Sequence, residues 1–198
     1  MLQRYGKRDI RRVSLIKKCD DPEKHPYIIL ARKSVENTAN KLDPCNGIDP
    51  AEFVSVPDLN IKRACFVSIK SRTMVLRGCI GTVTPSFEAI WEEIISNAHA
   101  AACRDPRFPP LSPREAEECI ISVDVLEEPE LILDLSELDP KLYGVVVEKG
   151  PRRGVLLPDL QGVTSSRQQI EIAMKKANIA SLEEITVKRF KVSRFSER

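Results

Sequence analysis

Rings and one-sided charge are both scarce here. The 198 residues include one Trp, three Tyr, six Phe and two His. So few aromatics offer little for stacking the bases of a nucleic acid. The two histidines, His25 and His99, lie far apart and make no metal site between them. Basic and acidic residues nearly cancel, 31 against 29, so no global field draws the chain onto nucleic acid or anionic lipid. No segment approaches the run of about 18 apolar residues that spans a bilayer, and the N-terminus lacks the apolar core of a secretory signal. A cytoplasmic protein with no membrane association is expected. The six cysteines (Cys19, Cys45, Cys65, Cys79, Cys103, Cys119) include no C-x-x-C pair, unlike structural zinc sites and disulfide scaffolds, so reduced thiols are expected.

What is present is ordinary globular composition, 42% hydrophobic and 30% charged, in a length suited to one domain or to a large lobe carrying a small one. Residues 1–21 read as a basic extension, with Arg4, Lys7, Arg8, Arg11, Arg12, Lys17 and Lys18 against a single Asp9, and residues 22–198 as the domain. The stretch from Glu115 to Asp139 is almost purely acidic. A solvated tail and a solvated face explain both most simply.

Apolar spacing predicts a helix through Ile28, Ile29, Ala31 and Val35 to about Ala39. A surface loop over 42–60 follows, punctuated by Pro44, Pro50 and Pro57. Ala64–Lys70 and Met74–Thr82 read as a hairpin around Ser71-Arg72 or a slightly longer loop. A helix is predicted from a Ser86 N-cap to Arg104, then a proline-punctuated loop and a strand at Cys119–Leu126. A second hairpin turns at Lys149-Gly150-Pro151. A helix capped by Ser165 or Ser166 runs to Ala177, and one strand, Ile185–Phe195, slips in alternation near Arg189. The pattern predicts α+β, a mainly antiparallel sheet with flanking helices.

The most informative stretch is Leu76-Arg77-Gly78-Cys79-Ile80-Gly81-Thr82. Alternation puts Cys65, Val67, Ile69, Met74, Leu76 and Ile80 on a core face, and Phe66, Ser68, Lys70, Val75, Arg77 and Cys79 on the other. Arg77 and Cys79 then share a side, unless a bulge at a glycine intervenes. Gly78 and Gly81 permit close approach by a ligand or by another chain segment. Cys79 beside a guanidinium is a candidate nucleophile, or a small inert residue packed under a helix. Arg77 either clamps an anionic ligand or pairs with one of the many acids. His99 and Cys103, four apart on a helix, read as an ordinary partly buried pair, and no metal is assigned. Asp105 and Arg107 leave the helix end at a proline turn, either as a structural pair or as part of a site.

Three motifs occur in order: L-R-G-C-I-G-T at Leu76–Thr82, N-A-x-x-A-A-x-x-D-P-R-F at Asn97–Phe108, and R-G-V-L-L-P at Arg153–Pro158. With Leu30-Ala31-Arg32 they cover roughly residues 25 to 195 and resemble the AMMECR family. This is the family of the AMME-syndrome chromosomal-region protein, known in prokaryotes as AmmeMemoRadiSam system protein A. Cys65, Ser68 and Val83 depart from its usual residues. The resemblance implies two unequal α+β lobes with the L-R-G-C-I-G-T segment beside a cleft, and a pathway shared with a Memo-type protein and a radical S-adenosylmethionine enzyme. It implies no particular reaction. The chain lacks a C-x₃-C-x₂-C motif, so iron–sulfur chemistry belongs to a partner and no cofactor is assigned. Three functions are open at this point. One is a binding or accessory subunit holding an anionic small molecule or modified peptide through Arg77, Gly78, Gly81, Thr82, Asn97, Asp105 and Arg107. The second is an enzyme using Cys79 as nucleophile or redox thiol. The third, disfavoured by the balanced charge, is nucleic-acid binding through Arg4–Lys18 and Lys188–Arg194.

Overall fold

The computed structural model describes residues 25–53 and 56–197; the basic extension expected over residues 1–21 lies outside the described residues. In chain order the elements are α1 Pro26–Ala39, β1 Cys65–Lys70, β2 Leu76–Gly81, α2 Ile90–Cys103, α3 Pro113–Glu118, β3 Ile120–Leu126, β4 Glu130–Leu131, β5 Gly144–Lys149, β6 Arg152–Leu156, α4 Ser166–Lys176, β7 Thr186–Phe190 and β8 Val192–Ser196. They form two antiparallel four-stranded sheets. The order is β2-β1-β3-β8 in the first and β4-β7-β5-β6 in the second. The architecture is α+β, as the sequence pattern predicts.

The large lobe packs α1 and α2 on one face of the first sheet. Val67, Ile69, Ile121 and Val123 from the sheet meet Val35, Ile90, Ile94 and Ala98 from the helices, all buried. Each of these valines and isoleucines contributes about 1.5–3 kcal/mol by leaving water. Ile29 does not join them and faces solvent, while Leu30 turns inward. In the small lobe α4 lies on the second sheet, with Ile170, Ala173 and Met174 against Val145, Val147 and Leu156. A third apolar cluster, Ala64, Leu126, Val146 and Phe190, with Phe66, Val155 and Val192 beside it, joins the lobes.

Helix starts follow local chemistry. His25 caps α1, its Nδ1 accepting from the Tyr27 N–H at 3.3 Å, and Ser165 caps α4 by accepting from the Gln168 N–H. α2 begins four residues after the Ser86 predicted as its cap. The buried Glu93 carboxylate captures the Ser86 and Phe87 amides at 2.8 and 3.1 Å and the Thr82 hydroxyl, so those donors are satisfied outside the helix. Helix α3 fills the residues between the expected proline-punctuated loop and the Cys119 strand, to which no element was assigned. Its signal was present, since Ser112 and Glu115 form a reciprocal capping box with Pro113 in the first turn.

The strand expected over Ile185–Phe195 is two. The chain leaves the second sheet at Lys191 and enters the first, which is where alternation must reset. The reverse crossing is made by Glu127–Pro129 between β3 and β4. The two crossings touch, the Glu127 N–H donating to the Lys191 carbonyl at 3.0 Å.

Candidate functional site

The β1–β2 register places Phe66 opposite Gly81, Ser68 opposite Cys79, Ile69 opposite Gly78 and Lys70 opposite Leu76. The slip between Ile69 and Lys70 leaves Arg77 as the extra residue of a bulge. Two alternation-based expectations fall with it. Leu76 pairs with Lys70 rather than joining the core face, and Arg77 does not stand beside Cys79. Its guanidinium turns to Glu115 (Nε to Oε1 2.7 Å) and donates to the Pro109 carbonyl at 2.9 Å. Arg32 grips the other end of the same short helix, donating to the Ala116 and Cys119 carbonyls and to both Glu197 carboxylate oxygens. The arginines of the two resembling motifs thus pin α3.

The glycines serve the chain's own packing. A Cβ on Gly78 would lie 2.2 Å from the Ala101 carbonyl oxygen of α2, and one on Gly81 would strike the Phe66 ring at 2.2 Å. Thr82 is spent on Glu93. Asn97, buried, donates to the Cys65 carbonyl at 3.0 Å and ties α2 to β1. Of the residues singled out in the sequence, three converge: Cys79, Asp105 and Arg107.

Asp105 is the fixed point. Its carboxylate, 2% exposed, accepts from the Cys79 N–H (2.9 Å), the Arg107 N–H (3.1 Å), and Arg107 Nε and Nη2 (2.9 and 2.7 Å). The Arg107 hydrogen bonds, joined by the Cys79 amide, push its pKa down to about 2 against the cost of burial. Arg107 is only half-committed by this, because its side chain remains 55% exposed. Its guanidinium lies over the Phe108 ring, 5.3 Å from the centroid.

Cys79 faces the opposite way from the helices. Cross-strand pairing draws a row of small polar residues over all four strands, Cys79, Ser68, Ser122 and Ser196, beside a second row of Gly81, Phe66, Asp124 and Arg194. Ser68 donates its hydroxyl to the Cys79 sulfur at 3.2 Å, and Arg194 pairs with buried Asp124 at 2.6 Å. Lys176, at the end of α4, approaches from the small lobe and donates to the Val155 carbonyl at 3.3 Å. Its charge favours the Cys79 thiolate, and the Arg107 charge opposes its own. Burial pushes the Cys79 thiol above its ordinary value, overriding the Ser68 hydrogen bond and the Arg107 and Lys176 charges. Partial desolvation pulls the Lys176 pKa down, although the residue as a whole is exposed. Among the described residues Lys176 enters no ion pair. Nothing in the sequence signals that this lysine folds back onto β6.

His99 and Cys103 behave as a local pair: the Cys103 thiol donates to the His99 carbonyl at 3.3 Å, and His99 Nδ1 meets the Thr38 hydroxyl at 3.0 Å. The basic run Lys188–Arg194 is largely engaged, with Lys188 on Glu148, Arg189 on Glu130 and Arg194 on Asp124. Two adjoining cavities of about 620 and 260 Å³ share Arg72, Glu118 and Cys119 and open beside α3, on the Arg32 and Arg77 side. Cys79 lines neither.

Two antiparallel sheets, with the Cys79 backbone tied to Asp105 and Arg107 and its thiol to Ser68, define a two-lobed α+β protein. The chain belongs to the AMMECR1 family, whose profile matches residues 28–196. A protein of Thermotoga maritima is 44% identical over 174 residues, which cover 86% of this chain and 97% of that one. One from Clostridium acetobutylicum is 43% identical over 175 residues, 88% of this chain but 36% of the longer relative. The crystal structure of an uncharacterized protein from Pyrococcus horikoshii superposes with a TM-score of 0.76 at 28% identity, over 87% of this chain and 90% of that one. No helix among the described residues is long and apolar enough to cross a membrane.

Proposed function

We propose that this protein is a binding or accessory subunit that holds a small anionic molecule, or an acidic group on a modified peptide, in the junction over Cys79. The observation that carries the reading is Arg107, whose guanidinium is fixed by the buried Asp105 carboxylate yet stays 55% exposed beside the Cys79 backbone, with a second exposed cation, Lys176, that enters no ion pair among the described residues. Exposed cations that are not neutralised by the chain itself attract an anion to the surface between them. Arg107 supplies the fork for an oxyanion, Asp105 holds that fork in place, and Cys79 is a neutral wall. Arg77, Asn97 and Thr82 act one step away, by fixing α3 and α2. The family resemblance supports a setting in the cytoplasm beside a Memo-type protein and a radical S-adenosylmethionine enzyme, with any redox cofactor carried by them.

A raised thiol pKa argues against nucleophilic use of Cys79, since the thiolate is the reactive form. The two readings separate by titration with inorganic phosphate and with succinate at low salt, followed by thermal shift. Lys176→Met is expected to weaken the response at least about tenfold, equivalent to about 1.4 kcal/mol, whereas Cys79→Ser keeps it. An undiminished response in Lys176→Met would remove the binding reading. Rapid alkylation of Cys79 with a midpoint well below about 8.5 would replace it with the enzymatic one.

A further inference from the structure

The small lobe carries an apolar ridge in acidic surroundings. Leu131, Leu133 and Leu135 are 60%, 92% and 51% exposed, while Ile132 between them is buried against the second sheet. Exposed leucines scattered singly need no explanation, but three within five residues, one closing β4, one in the bend after it and one opening a 3-10 turn, mark a contact surface. The ridge starts at β4, which pairs with β7 alone and so forms an edge of its sheet. Arg189 holds it rigid: Nε donates to Glu130 at 2.6 Å, Nη1 donates to the Glu137 carbonyl at 2.7 Å, and the guanidinium lies 4.6 Å from the Tyr143 ring centroid. A ridge so braced is built, not frayed.

Its charge says what covers it. From Glu127 to Pro140 the chain holds Glu127, Glu128, Glu130, Asp134, Glu137 and Asp139 and no Lys or Arg. Arg63 and Arg189 pair with Glu128 and Glu130; Glu127, Asp134, Glu137 and Asp139 enter no ion pair among the described residues. We propose that this ridge docks a basic segment of a partner protein, whose leucine- or isoleucine-type side chains cover Leu131, Leu133 and Leu135 while its lysines or arginines meet the flanking acids. A second copy of this chain fits worse, because a two-fold contact across β4 sets acid against acid. Simple strand addition fits worse as well. The Leu133 amide already donates to Glu137 Oε1 at 2.8 Å, so recognition runs through side chains.

The test is fluorescence anisotropy with a labelled synthetic peptide alternating lysine with leucine and isoleucine, measured on the full chain. Binding is expected to weaken at least about tenfold in the double variant Leu131→Ser/Leu133→Ser, and to fall as salt is raised. The Lys176→Met protein should bind this peptide as the unaltered protein does, which keeps the result separate from the anionic-ligand reading. Equal binding of a peptide with glutamate in place of lysine would overturn the proposal, as would undiminished binding by the serine variant. So would a concentration-dependent dimer abolished by Leu133→Ser, which would assign the ridge to a second copy.

Discussion

In each lobe a helix lies so close on the second strand of a hairpin that only glycine fits beneath it. Under α2 the residue is Gly78 of β2, where a Cβ would come 2.2 Å from the Ala101 carbonyl oxygen; under α4 it is Gly154 of β6, where the distance to the Ala173 carbonyl oxygen would be 1.9 Å. Both strands are edges of their sheets. What differs is what is added to this shared plan. The large lobe adds α1 and α3 and buries its sheet on the helix side with a broad core. The small lobe has α4 alone, and it leaves Leu131, Leu133 and Leu135 to solvent. One lobe is stabilised by completeness, and the other keeps surface available for contact.

The comparison breaks most severely at the junction. Phe190→Ala removes a buried ring from the cluster between lobes and is expected to cost about 3–5 kcal/mol, with the single denaturant transition splitting into two. A transition that stays single and merely shifts would show that the lobes are coupled elsewhere. Next come Gly78→Ala and Gly154→Ala, each expected to cost about 3 kcal/mol because helix backbone must move aside. Unequal losses in chemical denaturation would mean that the two helix–hairpin contacts are alike in geometry only. The smallest effect is Asp105→Asn, which removes a tie that the small lobe lacks. Asp105 has its pKa lowered to about 2, so its contribution of about 2 kcal/mol is present above pH 4 and lost as pH falls from about 4 to about 2. Acid titration of stability should be steeper in that window for the parent than for Asp105→Asn; parallel curves would dismiss the carboxylate as the acid-labile tie.

Most elements were legible in the sequence because local chemistry decides them. Ser165 caps α4, Gly150 turns the β5–β6 hairpin with a φ of 56°, and alternation identifies the core face of β3. The misses arose where distant groups intervene. Glu93 reels in the Ser86 and Phe87 amides and delays α2. One extra residue at Arg77 turns the guanidinium away from the thiol, and no spacing rule announces a bulge. At the candidate site Cys79, Asp105 and Arg107 were visible as motif residues. Alternation put Ser68 on the face of Cys79, whereas Lys176 was not marked, because its place against β6 is set by packing and not by sequence neighbourhood.

The passage of β7 into β8 has a consequence for biosynthesis. Residues 186–196 give an inner strand to one sheet and an outer strand to the other. Nascent chain emerging from a ribosome therefore leaves each sheet one strand short until this single stretch arrives and supplies both.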